Sequence, residues 1–502
     1  MSSHPRDYLG VLAGTALGAT LLVRTASNNV DGDLWHEMAL AREIVTSGHV
    51  PWVDQFAYTP TLPVVVHHEW GAGVVAYLLA VSFGAPGILM LKYLLAAAAA
   101  VIAIMCGRRR GGSVAVWGWL ALPAIWLLAT GLMPVRAQAY TYVFVAVLLW
   151  RLQADEEGGR RWMLPWLAAF PLWANLHGGC AIGFVLIGGA WIERLIQRRP
   201  HRHLVAVAAG MAALLIVNPY GLAYYSYLWR ALTMARPSIS EWIPMWRDPT
   251  PVWIPFGLCA AVAVYGLVEA LFRRREIPSG AAAVLLMAYA GATHVKMMPL
   301  FAIAVVCVVP GWLAKTPLGH RLANVTRQNW DLAAAAWLIC VAVMGASVIT
   351  RPASDWKLIV PSTAAPSDPT AKPYPVGAVE YLRSQRFTGN VLTAFEQGGY
   401  VMWKLYPAAR VSMDGRYEVA YPDKTFDELT SFHSAGPRWK EVLTSYGTDV
   451  ALIHRSDRVE KRMSSTDWRK VYSDPEYRIW ARPGLSLPVT EDPGPIAAGI
   501  LP

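Results

Sequence analysis

The sequence predicts a polytopic α-helical membrane protein that ends in a small α/β domain. Of its 502 residues, 55% are hydrophobic and only 16% are charged, whereas soluble proteins carry roughly a quarter charged residues. Long apolar runs are continuous and not alternating, which favours membrane helices over a barrel. Beyond Thr350, prolines and alternating strand and helix patterns replace these runs.

Eleven apolar runs are candidate membrane spans, and interfacial helices are expected beside them. A further run, 71–83, is too short to cross and is interpreted as a re-entrant or interfacial helix. The first run has no cleavage-like site and is expected to remain as an anchor. The eleven spans are 8–24, 87–106, 113–132, 139–152, 162–174, 177–195, 203–217, 251–272, 279–293, 297–315 and 331–349.

The basic residues predict the orientation of the chain. The net charge is +10, but the arginines cluster in short loops between apolar runs, which indicates topology and not nucleic-acid binding. If 71–83 does not cross, all these loops fall on one side, which is then cytoplasmic. The amino terminus is thus expected inside and the carboxyl domain outside a cytoplasmic (inner) membrane. The loops are 107–110, 151–161, 194–203, 273–275 and 315–327.

Four segments are predicted along the chain. They are a membrane module (1–349) whose first outer loop is 25–70, a proline-rich linker (350–375), an extracytoplasmic α/β domain (376–490) and an unstructured tail (491–502). Within the domain we expect helices over 376–384 and 439–446 and strands over 389–395, 409–413 and 450–453, with a turn at Gly398-Gly399. The five cysteines lie in or beside apolar runs without CxxC spacing, which argues against disulfides and thiolate metal sites.

The first outer loop carries the strongest candidate chemistry. Leu34, Met38, Ala41 and Val45 share one face of a predicted amphipathic helix that ends at Gly48 and lies on the outer bilayer surface. Asp33 opens this helix, either as an N-cap or as a general base. Asp31 is the second candidate base.

This loop resembles the first outer loop of GT-C membrane glycosyltransferases, which include the lipid A aminoarabinose transferases and the protein O-mannosyltransferases. The resemblance rests on Asp33, Arg42-Glu43, Ser47-Gly48 and Pro51. It implies that Asp33 occupies the position of the catalytic acidic residue. Relatives often carry a second acid directly after it, whereas here that position is Leu34 and the extra carboxylate is Asp31, which leaves the base open between the two.

The resemblance further implies an inverting transfer of a hexosyl or pentosyl unit from a polyprenyl-phosphate donor to an envelope glycan, lipid or protein on the outer face. The tail, with Trp403, Met413-Asp414-Gly415-Arg416-Tyr417 and Trp468, resembles the outer domain of bacterial members. Sugar, acceptor, lipid length and oligomeric state are left open, and no nucleic acid is expected as a partner.

Polar residues from several outer loops are candidates for substrate binding. Arg136, Lys296 and Arg247 could hold the donor phosphate, although interfacial snorkelling explains Lys296 and Arg247 equally well. Glu241 and Trp242 could bind sugar, or Trp242 could be an interfacial anchor. The remaining candidates are Gln138, His177, His294, His67, His68 and Glu69.

No metal or cofactor is expected. Adjacent histidines point apart, so His67 and His68 do not make a two-histidine site, although one of them with Glu69 and an aspartate stays open. A monophosphate leaving group needs no ion.

Two other functions fit the hydropathy: a transporter or flippase of lipid-linked substrates, and a non-catalytic scaffold. Transporters place polar residues near the bilayer centre on broken helices and often contain inverted repeats. Here the polar residues gather at span ends and no repeat is evident, which favours the transferase.

Overall fold

The structure is a computed structural model that describes residues 5–26, 28, 30–234, 240–363, 372–491, 493–494 and 501. Most of the predicted tail, 491–502, and residues 364–371 of the predicted linker lie outside that set. The chain divides into two compact units that interleave along the sequence. The first unit comprises 1–28, 89–218 and 235–357, and the second comprises 29–88, 219–234 and 358–502. The boundaries of the four segments that the sequence analysis gave remain a prediction.

Every predicted span coincides with a helix. The helices before the carboxyl domain are α1 (Pro5–Thr25), α2 (Gly32–Ser47), α3 (Trp70–Arg109), α4 (Val114–Thr130), α5 (Gln138–Glu156), α6 (Met163–Leu176), α7 (Ala181–Ile196), α8 (Arg202–Leu214), α9 (Ala223–Thr233), α10 (Trp253–Val268), α11 (Ala281–Thr293), α12 (Met298–Leu313), α13 (Pro317–Gln328) and α14 (Trp330–Ile349). The sequence analysis did not anticipate α9 or α13.

Six helical stretches among the described residues are long and apolar enough to cross a membrane: Tyr8–Thr25, Trp70–Arg109, Gly178–Ile196, Trp253–Arg273, Val295–Leu313 and Trp330–Ile349. The helices α4, α8 and α11 are apolar but shorter. Within α3 the backbone leaves helical geometry at Gly84 (φ 63°, ψ −153°), which separates 71–83 from 87–106. The protein is thus a polytopic helical membrane protein, and the crossing number of about eleven remains a prediction.

The basic loops of the first unit meet at one end of its helices. Arg110 pairs with Glu156 at 3.3 Å and donates to the carbonyl oxygen of Ser279. Trp312 Nε1 donates to the same carbonyl at 2.9 Å, and Arg199 donates to the Ser279 hydroxyl. Four loops and the end of α12 are therefore in contact, and the fifth basic segment follows α12 directly. The side of the membrane on which these loops lie remains a prediction.

The second unit contains a six-stranded sheet. Its strands are β1 (Gly389–Leu392), β2 (Ala409–Val411), β3 (Val450–His454), β4 (Arg469–Ser473), β5 (Tyr477–Ala481) and β6 (Thr490–Glu491), in the order β2-β1-β3-β5-β4-β6. The β1–β2, β1–β3 and β4–β6 pairs are parallel, and the β3–β5 and β4–β5 pairs are antiparallel. The predicted strands β1, β2 and β3 are confirmed, whereas the β4–β5 hairpin was not predicted.

The helices of the carboxyl domain are α15 (Val376–Ser384), α16 (Phe395–Leu405), α17 (Tyr417–Ala420), α18 (Asp423–His433), α19 (Trp439–Ser445) and α20 (Glu460–Met463). The predicted turn at Gly398-Gly399 is wrong, because both residues lie inside α16. A Cβ on Gly398 would lie 1.8 Å from Met413 O, and one on Gly399 would lie 3.1 Å from Gly32 O. Because these two positions have no side chain, α16 packs closely against the backbone of Met413 on one side and that of Gly32 on the other.

The first outer loop is built into the edge of this sheet. Val411 N donates to Phe56 O at 3.0 Å, and Tyr58 N donates to Val411 O at 3.1 Å, so Ala57 pairs with β2 in parallel. The Thr59 hydroxyl donates to Ser412 O at 2.5 Å. The loop and the carboxyl domain, which are far apart in sequence, therefore fold as one body.

Candidate functional site

The start of α2 separates the roles of the two candidate acids. Asp31 is the N-cap, with an extended backbone and a side chain that accepts from Asp33 N at 3.0 Å. Asp33 lies inside the first turn, so the interpretation of Asp33 as the N-cap is wrong. Capping occupies the Asp31 carboxylate with the backbone, which favours Asp33 as the acid available for chemistry.

The helix α2 is not a surface helix in its first half. All residues from Leu34 to Ala41 are buried, including His36 and Glu37. The predicted amphipathic helix is therefore correct in extent but wrong in environment, because the segment packs against α16 within the second unit. Gly48 ends the helix with φ 75° and donates to Ile44 O at 2.8 Å, as the sequence predicts.

Asp33, His36 and Glu37 occupy positions i, i+3 and i+4, and therefore share one face of α2. This face is next to the Asp414-Gly415-Arg416 segment after β2. A Cβ built on Gly415 would lie 3.1 Å from Asp33 Oδ1 and 3.5 Å from His36 Nδ1. Gly415 therefore allows the backbone of this segment to approach the candidate base closely.

A buried ion network holds this segment in place. Arg416 donates to both oxygens of Asp414, at 2.8 and 2.7 Å, and also pairs with Asp54 of the first loop. The Tyr421 hydroxyl donates to Asp414 at 2.8 Å. Burial opposes ionisation of Asp414, but the adjacent Arg416 prevails and lowers its pKa, while the two aspartates raise the pKa of Arg416 despite burial. Asp414 and Arg416 therefore remain charged and hold the Asp414-Gly415-Arg416 segment in place beside α2.

A pair of carboxyl groups, Glu37 and Glu69, lies one helical turn beyond Asp33. His68 Nε2 lies 3.2 Å from Glu69 Oε1. Burial, reinforced by the charge of Glu69, raises the pKa of Glu37 well above its usual value. The His68 ring stacks on Tyr227 at 4.8 Å.

Two buried histidines complete this cluster. Burial lowers the pKa of His36 to about 4 and that of His67 well below its usual value, so both are neutral at pH 7. Within the described residues, His36 Nδ1, Glu37 Oε1 and His67 Nε2 are buried and have no hydrogen-bond partner. Buried polar atoms of this kind are costly, and their concentration around Asp33 marks the cluster as a site for a polar ligand.

No group of three or more His, Cys, Asp or Glu side chains in the described part of the chain is arranged to hold a metal ion. The open alternative of His67 or His68 with Glu69 and an aspartate therefore gains no support from the geometry. His68 and Glu69 are instead paired with each other.

The first unit brings four other predicted residues together from separate loops. Arg136 forms two hydrogen bonds to Glu241, at 2.9 and 2.8 Å, and Lys296 Nζ lies 3.6 Å from Glu241. Gln138 Nε2 donates to Lys296 O, and Gln138 Oε1 accepts from Arg136, both at 3.3 Å. Burial would raise the pKa of Glu241, but the two cations outweigh it and lower that pKa. The cluster is thus two cations around one carboxylate.

This cation cluster and the basic loops lie at opposite ends of α5. Gln138 is its first residue and Glu156 its last, and 19 residues span about 28 Å at the rise of an α-helix. The cluster therefore belongs to the end of the first unit that is remote from the arginine-rich loops.

The remaining candidates of the first unit are less closely connected. The Trp242 and His294 rings contact each other at 5.2 Å, beside the cation cluster. His177 Nδ1 accepts from Gly179 N at 2.8 Å and lies 2.9 Å from the Thr141 hydroxyl, so it caps the turn Gly178–Cys180. Arg247 is exposed in the short helix Met245–Arg247.

The candidate site of the second unit thus contains predicted and unpredicted residues. Asp31, Asp33, His67, His68 and Glu69 were candidates from the sequence. His36, Glu37, Asp414, Arg416 and Tyr227 were not. The spacing of Asp33, His36 and Glu37 on one helical face was a usable signal, whereas the approach of Asp414 and Arg416 depends on the tertiary fold.

Comparisons with known proteins identify the fold. Neither a protein-family model nor a curated protein matches the sequence. Among solved structures, the archaeal oligosaccharyltransferase AglB from Archaeoglobus fulgidus, in complex with an inhibitory peptide and a dolichol-phosphate, aligns with a TM-score of 0.54 and 12% identity over 89% of this chain and 69% of its own.

Two further structures align over nearly the whole chain. ArnT from Cupriavidus metallidurans bound to undecaprenyl phosphate has a TM-score of 0.54 and 14% identity over 96% of this chain and 99% of its own. The arabinofuranosyltransferase AftD from Mycobacteria has a TM-score of 0.53 and 15% identity over 96% of this chain and 42% of its own. The protein therefore has the GT-C fold of these polytopic membrane glycosyltransferases.

Proposed function

We propose that the protein is a membrane glycosyltransferase that moves a sugar from a polyprenyl-phosphate donor to an envelope acceptor. The observation that carries the proposal is the position of Asp33, on the loop that resembles the GT-C catalytic loop and directly beside Gly415 of the carboxyl domain. The fold adds weight, since two of the similar structures were solved with a lipid phosphate bound, dolichol-phosphate in AglB and undecaprenyl phosphate in ArnT.

Asp33 acts as the general base in this proposal. Its carboxylate takes the proton from an acceptor hydroxyl while that oxygen forms a bond to the anomeric carbon and the C–O bond to the donor phosphate breaks. Attack opposite the leaving phosphate inverts the anomeric centre. The leaving group carries away the electron pair of the broken bond as a phosphate monoester, and no metal or other cofactor takes part.

The other residues serve this reaction in distinct ways. His36 and His67 are neutral at pH 7 and are suited to hydrogen-bond sugar hydroxyls. The raised pKa of Glu37 limits negative charge next to Asp33. Within the first unit, Arg136 and Lys296 are suited to bind a phosphate, because guanidinium and ammonium groups form strong charge-assisted hydrogen bonds with phosphate, and Glu241 positions both side chains.

The proposed location is the outer face of the cytoplasmic membrane. Arginine-rich loops are retained in the cytoplasm, and in the first unit those loops lie at the end of α5 remote from Arg136 and Gln138. This arrangement supports an outward-facing cation cluster and a cytoplasmic amino terminus.

The experiment replaces each aspartate in turn and tests the variants in a strain that lacks the protein. Mass spectrometry of envelope glycans and lipid-linked sugars identifies the glycan lost on deletion and the donor that accumulates. Asp33→Asn should fail to restore the glycan, because loss of a general base costs roughly 10²–10⁴-fold in rate. Asp31→Asn should restore it, since asparagine caps a helix about as well as aspartate.

Full restoration by Asp33→Asn, at equal membrane abundance, would exclude Asp33 as the base. Flipping of a lipid-linked sugar by purified protein in vesicles, without sugar transfer, would support the transporter hypothesis instead.

A further inference from the structure

The helix α13, which joins the membrane helices α12 and α14, has an uncovered apolar stripe. Leu318, Leu322 and Val325 lie at positions i, i+4 and i+7 and therefore share one face. They are 44%, 38% and 55% exposed. Since a helix of this length normally buries its apolar face, this face lacks its natural environment in the isolated protein.

Basic side chains flank this stripe and lie opposite it. His320 and Arg327 are exposed on the opposite side of the helix, and the exposed Arg321, one turn before Val325, borders the stripe. No acidic residue occurs anywhere between Lys315 and Gln328. Every charged side chain of α13 is therefore basic.

The helix packs through a third, narrow face. Thr316 caps it by accepting from Gly319 N at 3.1 Å. Gly319 is its buried residue, and a Cβ there would lie 1.8 Å from Leu313 O, so α13 rests directly on the end of α12. Because α12 ends beside the arginine-rich loops, at Trp312 and Ser279, α13 lies at the basic end of the first unit.

We propose that α13 is an in-plane membrane anchor that binds anionic phospholipid headgroups. Its leucine and valine side chains enter the acyl region, and its basic side chains contact the headgroups, as in amphipathic helices of monotopic proteins. Charge complementarity selects anionic over zwitterionic lipids, because α13 has no acidic residue to balance its basic side chains. This inference is independent of the proposed transferase activity.

Lipid retention tests the headgroup contact. Wild-type protein is purified from vesicles of phosphatidylcholine mixed with phosphatidylglycerol, and native mass spectrometry counts the lipids that remain bound. Arg321→Gln with Arg327→Gln should reduce the preference for phosphatidylglycerol by at least roughly fivefold, the effect of one basic side chain near an anionic surface. Arg383→Gln with Arg458→Gln, two exposed positions of the carboxyl domain, is the matched control and should retain the preference.

Equal phosphatidylglycerol preference in the wild type and the α13 variant would overturn the inference, and so would an equal loss in the control. Unchanged membrane yield and thermal unfolding of both variants would show that the fold is retained.

Cysteine labelling tests the orientation of the helix without any substrate. In inverted membrane vesicles, a membrane-impermeant maleimide should label Arg327→Cys several-fold faster than Val325→Cys, which lies on the opposite side of the helix, and detergent should remove the difference. The wild type gives the background from the native cysteines. Equal labelling of both positions would overturn the in-plane arrangement, and labelling only in right-side-out vesicles would overturn its location on the cytoplasmic face.

Discussion

Single residues around Asp33 are held in protonation states that differ from their behaviour in water. Burial and the charge of Glu69 raise the pKa of Glu37, burial lowers the pKa of His36 and of His67, and Arg416 lowers the pKa of Asp414 against the effect of burial. Each shift follows from burial together with charged neighbours. The cluster therefore combines donors, acceptors and a fixed charge at a single place, as a site for a sugar requires.

The raised pKa of Glu37 can be tested by infrared spectroscopy. Infrared difference spectra of purified protein should contain the carbonyl stretch of a protonated carboxyl group at pH 7, because burial and Glu69 raise the pKa of Glu37. The band should be absent in Glu37→Gln. Glu43→Gln, which changes a half-buried carboxylate on the same helix, should leave the band in place. A wild-type spectrum without this band would contradict the raised pKa.

The neutral state of His36 predicts a loss of stability in mild acid. Its folded pKa is about 4 and its unfolded pKa about 6.5, so the unfolded chain binds the proton first as pH falls. The contribution of neutral His36 to the free energy of unfolding is fully present above pH 6.5 and is lost as the pH falls towards 4. Between pH 7 and pH 5 the free energy of unfolding should decrease by about 2 kcal/mol. The low pKa of His67 acts in the same direction.

Thermal unfolding at pH 7 and pH 5 provides the measurement. His36→Gln should narrow the difference between the two pH values, whereas His49→Gln, an exposed position, should not. A pH dependence identical in wild type and His36→Gln would disprove the assignment.

At the scale of elements, the first outer loop and the sheet are held together by a buried network. Residues 54–62 extend the β2 edge, and Arg416 joins Asp54 to Asp414 beneath the loop. Arg42 of α2 donates to the carbonyl oxygens of Trp403 and Tyr406 at the end of α16. The position of Asp33 thus depends on elements that are more than 350 residues away in the chain.

Removal of Arg416 should separate these elements. Arg416→Met leaves two buried aspartates without their cation and should destabilise the second unit by about 3–5 kcal/mol. Thermal unfolding and protease cleavage within 54–62 measure the effect. Arg410→Met, an exposed site on β2, should be nearly neutral. Wild-type stability in Arg416→Met would mean that the network does not hold the loop.

At the scale of the whole molecule, charge distribution predicts the orientation in the membrane. The arginine-rich loops of the first unit meet at one end of its helices, and such loops stay in the cytoplasm. Fusion of alkaline phosphatase after the carboxyl domain should therefore give an active reporter outside the membrane. The same reporter placed after residue 275, in an arginine-rich loop, should be inactive. The reverse result would invert the predicted topology.

Some residues of the candidate site could be predicted from the sequence, and others could not. Asp33, Glu69 and the cation cluster could be proposed because polar residues at the ends of apolar runs are conspicuous in a sequence. Glu37 was overlooked, because a carboxylate within an apparently amphipathic helix resembles a solvent-exposed residue. The network of Asp54, Asp414 and Arg416 could not be predicted, since ion pairs between distant segments leave no periodic pattern.

The sequence by itself determined the membrane character, the location of the membrane helices and the first three strands of the sheet, because these follow from local hydropathy and its period. It also determined which end of the helices is basic. Only the tertiary structure decided that α2 is buried, that Asp31 and not Asp33 caps it, and that the first loop completes the carboxyl domain. The reason is physical: local pattern fixes which face of a segment is apolar, but burial of a polar face depends on partners from distant parts of the chain.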